Sequence, residues 1–235
     1  MPEAILFDLG NTLAGYFGRA EFPAILQAGI LGVRECLRER GMLRVDPEEM
    51  WRRVRAEDYE TEDHRVRPLE GRLTRIFELE PDEMAEAGDG LRRRFVVPIF
   101  ARGRRYEDTL PVLQALRAAG YRLAVVSNTP WGSPGALWRE ELKRLELTLW
   151  LDAAVFCTDA GWRKPVPAIF WLALAQLQVE PQACLFVGDD PRWDLVGPRA
   201  MGIDTCLIDR RGSEYGTGAT CIQNLHELMA LLPSR

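Results

Sequence analysis

The chain has 235 residues, of which 47% are apolar and 28% charged, with a formal net charge of −5 at pH 7. An acidic balance without low-complexity tracts argues against a nucleic-acid partner and against disorder. It describes a globular chain long enough for one large α/β domain, or for a core with a smaller insert. The N-terminus lacks a basic segment followed by a long apolar run, and no apolar stretch reaches the roughly 18 residues of a membrane span. A cytoplasmic protein without membrane association is therefore expected, as a monomer or homodimer. Cys36, Cys157, Cys184, Cys206 and Cys221 are odd in number and widely spaced, so they read as reduced thiols. With His64 and His226 the only histidines, no zinc site is implied.

Residues 4–8 read as a short buried strand, closed by the turn Gly10-Asn11-Thr12. From 15 to 103 the pattern is helical. Phe22, Ile25, Leu26, Ile30, Val33 and Leu37 recur at helical spacing, Asp46-Pro47-Glu48-Glu49 reads as a capped helix start, and Pro81-Asp82-Glu83 opens another helix. This predicts an all-helical insert over 15–103, dividing a core made of 1–14 and 104–235. The core then alternates: helix 108–119, strand 122–127, helix 135–146, strand 153–158, helix 166–177, strand 183–187, helix 192–201, strand 203–208 and helix 223–232. The stretch after 210, including Gly212-Ser213-Glu214-Tyr215-Gly216, is expected as a mobile loop before the closing helix. Such alternation predicts an α/β fold, a doubly wound parallel sheet with helices on both faces. Asp8, Ser127, Thr158-Asp159 and Gly188-Asp189-Asp190 then fall at carboxyl ends of strands, the edge where open α/β sheets bind ligands.

Arginine is concentrated at 52–55, 92–94 and 102–105, interleaved with acids, which favours solvated helix faces carrying ion pairs over a basic rim for an anionic substrate. Lysine occurs only at Lys143 and Lys164. A compact ammonium kept at Lys164 suits a place between a carboxylate and a phosphoryl oxygen, which arginine's planar fork fills poorly. Pro165 and Pro167 put Lys164 just before a helix start, where the macrodipole disfavours a cation unless negative charge is near.

The chemistry-bearing residues gain weight as a set. Taken singly, Asp8 also reads as a turn cap, Ser127 as a helix or turn cap and Lys164 as a solvated loop lysine. Asp189, Asp190 and Asp194 also read as helix caps, although three carboxylates at one strand-to-helix junction repel one another without a cation such as Mg²⁺. Together they compose a phosphoryl-transfer kit: a carboxylate nucleophile, a hydroxyl and ammonium for phosphoryl oxygens, and an acidic group for a metal.

In their order, Asp8 to Thr12, Ser127-Asn128, Lys164-Pro165-Val166-Pro167 and Gly188-Asp189 to Asp194, these segments resemble the haloacid dehalogenase-like (HAD) hydrolase superfamily, subfamily I, with a helical cap inserted after the first motif. The resemblance implies a Rossmann-like core and an Mg²⁺-dependent phosphatase acting on a small phosphorylated metabolite. By the same resemblance Asp8 is the nucleophile forming an aspartyl-phosphate and also a metal ligand. Gly10 supplies a backbone carbonyl to Mg²⁺, Asp189 anchors the metal, and Asp190 and Asp194 support it. Asn11, Thr12, Ser127, Asn128 and Lys164 fall on the phosphate side, with Ser127 and Lys164 counted as catalytic.

One part is missing. Most family phosphatases carry an aspartate two residues after the nucleophile as general acid and base, and Gly10 occupies that place. Asp58, Glu60, Asp63 and His64 of the helical insert are candidate replacements, alongside a substrate with a good leaving group or a loss of catalysis. Two alternatives follow. A 2-haloacid dehalogenase attacks carbon without a metal, but it leaves the acidic cluster unexplained and usually has an aromatic residue where Gly10 stands. A non-catalytic protein that keeps the Mg²⁺ and phosphate pocket is favoured by Gly10 and disfavoured by retention of Asp8. Response-regulator receivers place their acidic pair before the nucleophile, so the motif order argues against them.

Overall fold

The computed structural model describes residues 2–58, 62–210, 212, 218 and 220–232. The chain opens with β1 (Ala4–Phe7) and reaches β2 (Ala14–Gly15) through the 10–12 turn. Four helices follow: α1 (Phe22–Glu39), α2 (Pro47–Glu57), α3 (Leu69–Phe77) and α4 (Pro81–Phe100). The starts of α2 and α4 are where the sequence puts them. Asp46 caps α2 by accepting from the Glu48 and Glu49 amides, and Glu83 reaches back to the Glu80 amide at the head of α4. β3 (Arg104–Arg105) returns the chain antiparallel to β2, so a two-stranded ribbon brings both ends of the helical segment together.

The remainder alternates: α5 (Thr109–Ala118), β4 (Arg122–Ser127), α6 (Gly135–Arg144), β5 (Ala153–Phe156), α7 (Cys157–Ala160), α8 (Pro167–Leu177), β6 (Cys184–Gly188), α9 (Pro191–Asp194), α10 (Val196–Ala200), β7 (Asp204–Ile208), β8 (Thr220–Ile222) and α11 (Leu225–Leu231). Six strands form one parallel sheet in the order β5-β4-β1-β6-β7-β8. Strand residues alternate between two layers. Ile5, Phe7, Leu123, Val125 and Val187 face α5 and α11 and a core that continues into α1 and α4. Ala4, Leu6, Ala124, Val126 and Phe186 pack against α8, where Phe170 meets Phe186 edge-on at 5.4 Å.

The doubly wound parallel sheet agrees with the sequence reading, and three details differ. The strand expected over 153–158 stops at Phe156, because Asp159 folds back to accept from the Phe156 amide and starts α7, which takes in Thr158 and Asp159. The helix expected over 192–201 is two short pieces meeting at Leu195. β8, a sixth strand beside β7, lies where only loop was expected, and 213–216 of that stretch fall outside the described residues. The arginine runs do pair with acids, for example Arg52 and Arg53 with Glu49, Arg92 with Glu70 and Arg93 with Asp89 and Glu140. Among the described residues no helix is long and apolar enough to cross a membrane.

Candidate active site

β1 is central, and the chain moves from it through β4 to the edge at β5 before crossing to β6 on the other side. The reversal therefore falls at β1, which carries Asp8 one residue beyond its last pair. Phe7 is level with Val125 of β4 and Val187 of β6, so Asp8, Ser127 and Asp189 leave the sheet at the same edge. The Asp8 amide donates to the Val187 carbonyl at 2.9 Å, and Asn11 takes a left-handed backbone (φ 56) that lets its amide reach the Ala14 carbonyl.

Two donors converge on one oxygen. Ser127 Oγ donates to Asp8 Oδ1 at 2.8 Å and Lys164 Nζ donates to the same Oδ1 at 2.6 Å. Lys164 also donates to Asp194 Oδ1 at 2.6 Å and is 2% exposed, so its ammonium bridges two buried carboxylates. Burial works against that charge, but Asp194 and Asp8 outweigh it and hold the ammonium well above the ordinary lysine range. Asn128 fixes the lysine's backbone from both sides: its Oδ1 accepts from the Lys164 amide at 2.8 Å and its Nδ2 donates to the Lys164 carbonyl at 3.4 Å. Asn128 therefore presents Lys164.

Asp8, Asp189 and Asp194 each offer a carboxylate oxygen, all within 4.8 Å of one another. Gly188 makes this approach possible, because a Cβ there would collide with the Asp194 carboxylate. Asp189 is pushed up to about 8 by burial and by the charges of Asp8 and Asp194, with a hydrogen bond from Asn11 opposing. Asp194 is pushed up to about 6 by burial, against the pull of Lys164. Once all three are ionised, the carboxylates against one ammonium leave two negative charges uncompensated, and the donors are all oxygen. That set fits a hard divalent cation.

Two expected site residues direct their side chains elsewhere. Thr12 is fully buried and does not line the cavity; its hydroxyl has no hydrogen-bond partner among the described residues, while its carbonyl accepts from Arg210 at 2.8 Å. Asp190 lines the cavity but turns its carboxylate to Arg192, and it serves the cluster through its amide, which donates to Asp194 Oδ2 at 3.0 Å. Of the candidate proton donors, Asp58 lines the cavity and accepts from Trp131 Nε1 at 3.1 Å, Asp63 pairs with Arg67, and His64 stands edge-on to Trp193. Glu60 lies outside the described residues.

The cavity over Asp8 measures about 960 Å³ and is walled by both the sheet edge and the helical segment. Residues 64–66 pair with 161–163: the Val66 amide donates to the Gly161 carbonyl at 3.0 Å, and the Arg163 amide to the His64 carbonyl at 2.9 Å. Tyr16, Arg65, Trp131 and Arg210 line the cavity and were missed from the sequence. Arg210 had a legible signal, since it follows β7 at the same sheet edge as the other site residues.

A profile of haloacid dehalogenase-like hydrolases matches residues 2–202. Ribulose-1,5-bisphosphate 5-phosphatase of Halopiger xanaduensis is 28% identical over 89% of this chain and 85% of its own. Glyceraldehyde 3-phosphate phosphatase of Methanopyrus kandleri is 29% identical over 90% and 85%. A crystal structure of 2-haloacid dehalogenase from Pseudomonas syringae pv. Tomato superposes with a TM-score of 0.72 over 98% of both chains at 24% identity, a likeness of fold alone. Sheet order, the lysine shared between two carboxylates and the profile over most of the chain agree, and the protein belongs to the haloacid dehalogenase-like hydrolases.

Proposed function

We propose that this hydrolase is an Mg²⁺-dependent phosphatase of a small phosphorylated metabolite, with residues 15–103 acting as a cap over the site. The observation that carries the reading is the buried cluster of Asp8, Asp189 and Asp194 around Lys164, whose excess negative charge fits a divalent cation. A metal-free attack on carbon would leave that charge uncompensated. The phosphatases among its relatives support the same reading.

Asp8, Asp189 and Asp194 would hold Mg²⁺, with Gly10 lining the same cavity. The bound ion would neutralise phosphoryl oxygens and the carboxylates together. Asp8 attacks phosphorus with a carboxylate oxygen. A P–O bond to Asp8 forms, the bond to the leaving oxygen breaks, and that oxygen departs as its anion or takes a proton from solvent water. Lys164 and Ser127, both already on Asp8 Oδ1, hold the nucleophile and are placed to donate to phosphoryl oxygens as charge moves onto them. Water then attacks the aspartyl-phosphate, releasing phosphate and restoring the Asp8 carboxylate. Gly10 can neither give a proton to the leaving oxygen nor take one from the attacking water, so substrates with good leaving groups are favoured.

The test is hydrolysis of p-nitrophenyl phosphate with Mg²⁺ and with EDTA, comparing wild type and Asp8→Asn. Turnover that needs Mg²⁺ and falls by at least about 10³-fold in Asp8→Asn is expected. Chloride release from 2-chloropropionate in EDTA, without phosphatase turnover, would overturn the reading.

A further inference from the structure

Most arginines around the cavity already have partners within the protein. Arg67 pairs with Asp63, Arg210 with Asp108, and Arg72 donates to the Arg67 and Glu57 carbonyls while lying over Trp131. Arg19 and Arg65 differ. Both line the cavity, and neither forms an ion pair among the described residues. Arg65 is held in place nonetheless: its guanidinium lies 4.7 Å over the Trp162 ring, and its backbone bridges to Trp162. The charge of Arg19 is felt at Asp190, which places it by the α9 side of the site. Asp58 and Asp209 also line the walls, Asp58 accepting from Trp131 and Asp209 buried.

On the floor, the carboxylates are matched by Lys164 and a divalent cation; on the walls, Arg163 lies over Trp193, and Arg19 and Arg65 each leave a planar fork suited to a carboxylate or phosphate. A cavity of about 960 Å³ has room for a substrate well beyond its phosphoryl group. We infer that the substrate bears a second anionic group, a carboxylate or a further phosphate, besides the phosphoryl group at Asp8, and that Arg19 and Arg65 receive it. The inference rests on the phosphatase reading and narrows its substrate class to small phosphomonoesters with two anionic ends. A substrate with a neutral tail leaves both guanidiniums to water, and in a closing cavity that difference favours the doubly anionic compound.

Two matched pairs test this, both with Mg²⁺: 3-phosphoglycerate against glycerol 3-phosphate for a carboxylate, and fructose 1,6-bisphosphate against fructose 6-phosphate for a phosphate. In at least one pair the doubly anionic member is expected to have a kcat/KM at least about tenfold higher, carried by KM. In the double variant Arg19→Gln, Arg65→Gln that ratio is expected to fall below about threefold. Equal kcat/KM within both pairs, or a preference that survives the double variant, overturns the inference. Calorimetric binding of the same four compounds to Asp8→Asn protein separates it from the phosphatase reading. Tighter binding of the doubly anionic member, in a protein whose wild type hydrolyses neither these compounds nor p-nitrophenyl phosphate with Mg²⁺, supports the anion site and removes the phosphatase. Equal binding within both pairs removes the anion site, whatever the turnover.

Discussion

At Gly10 the missing acid meets an open space. A Cβ built there would meet only Asp8 Oδ2, at 3.9 Å, and the backbone is outside the left-handed region, so a side chain fits. Gly10→Asp is expected to raise kcat on alkyl phosphates by about 10-fold or more, toward the 10²–10⁴ that general acid–base help supplies. Hydrolysis of p-nitrophenyl phosphate, whose leaving group needs no proton, should change far less, and steady-state kinetics on both substrates checks the contrast. Lys164 is the sole ammonium among three carboxylates. Lys164→Met leaves Asp8 and Asp194 without their shared donor, so it is expected to cost about 3 kcal/mol or more in metal-free protein, read by urea unfolding.

The short turn after β4 links the sheet edge to the helical segment. Trp131 takes a left-handed backbone (φ 54), stacks on Phe95 of α4 at 5.8 Å, lies under the Arg72 guanidinium and donates to Asp58 at the end of α2. Gly132 follows at φ 67, and a Cβ there would collide with the Arg67 carbonyl. Gly132→Ala therefore combines backbone strain with a steric clash, and a loss of about 1–3 kcal/mol in urea unfolding is expected. KM should rise with it, since Arg65, Val66 and Arg67 beside this turn also wall the cavity. A second element-scale link runs from Arg210, whose guanidinium pairs with Asp108 and donates to the Thr12 carbonyl, tying the end of β7 to the turn that follows Asp8.

For the whole molecule, the acidic cluster makes stability depend on pH and on metal. Asp189 sits at about 8 in the fold against an ordinary value near 4, so between those pH values the folded protein holds a proton that the unfolded chain has lost. The sign is the reverse of a salt-bridged aspartate. Stability of metal-free protein falls as pH rises from about 4 to 8 and levels off above, with Asp194 adding the same trend up to about 6. A cation that binds the ionised carboxylates opposes this loss. Thermal unfolding should therefore show a larger Tm increase on adding Mg²⁺ at pH 8.5 than at pH 6, and an equal increase at both would contradict the coupling.

The sequence by itself determined the parallel sheet, the helical stretch after the first turn, and the edge of the sheet where the chemistry-bearing residues gather. Those follow from apolar periodicity and from strand-end positions such as Asp8, Ser127 and Asp189, which are local properties of the chain. Helix starts at Asp46 and Pro81 were equally legible, because a cap is satisfied within one turn. β8 was not: three residues carry too little periodicity to signal a strand, and pairing with β7 supplies what the segment lacks. Only the tertiary structure decided the roles inside the motifs. Asn128 turns to the Lys164 backbone, Thr12 is buried beneath the turn, Asp190 contributes its amide, and Ser127 and Lys164 meet on a single oxygen of Asp8. Such choices depend on strand order and on what each side chain meets across more than 100 residues of sequence, as between Asp8 and Lys164, 156 positions apart. The walls of the cavity are decided in the same way, because Arg65 acquires its place only when its segment pairs with 161–163 beside Lys164.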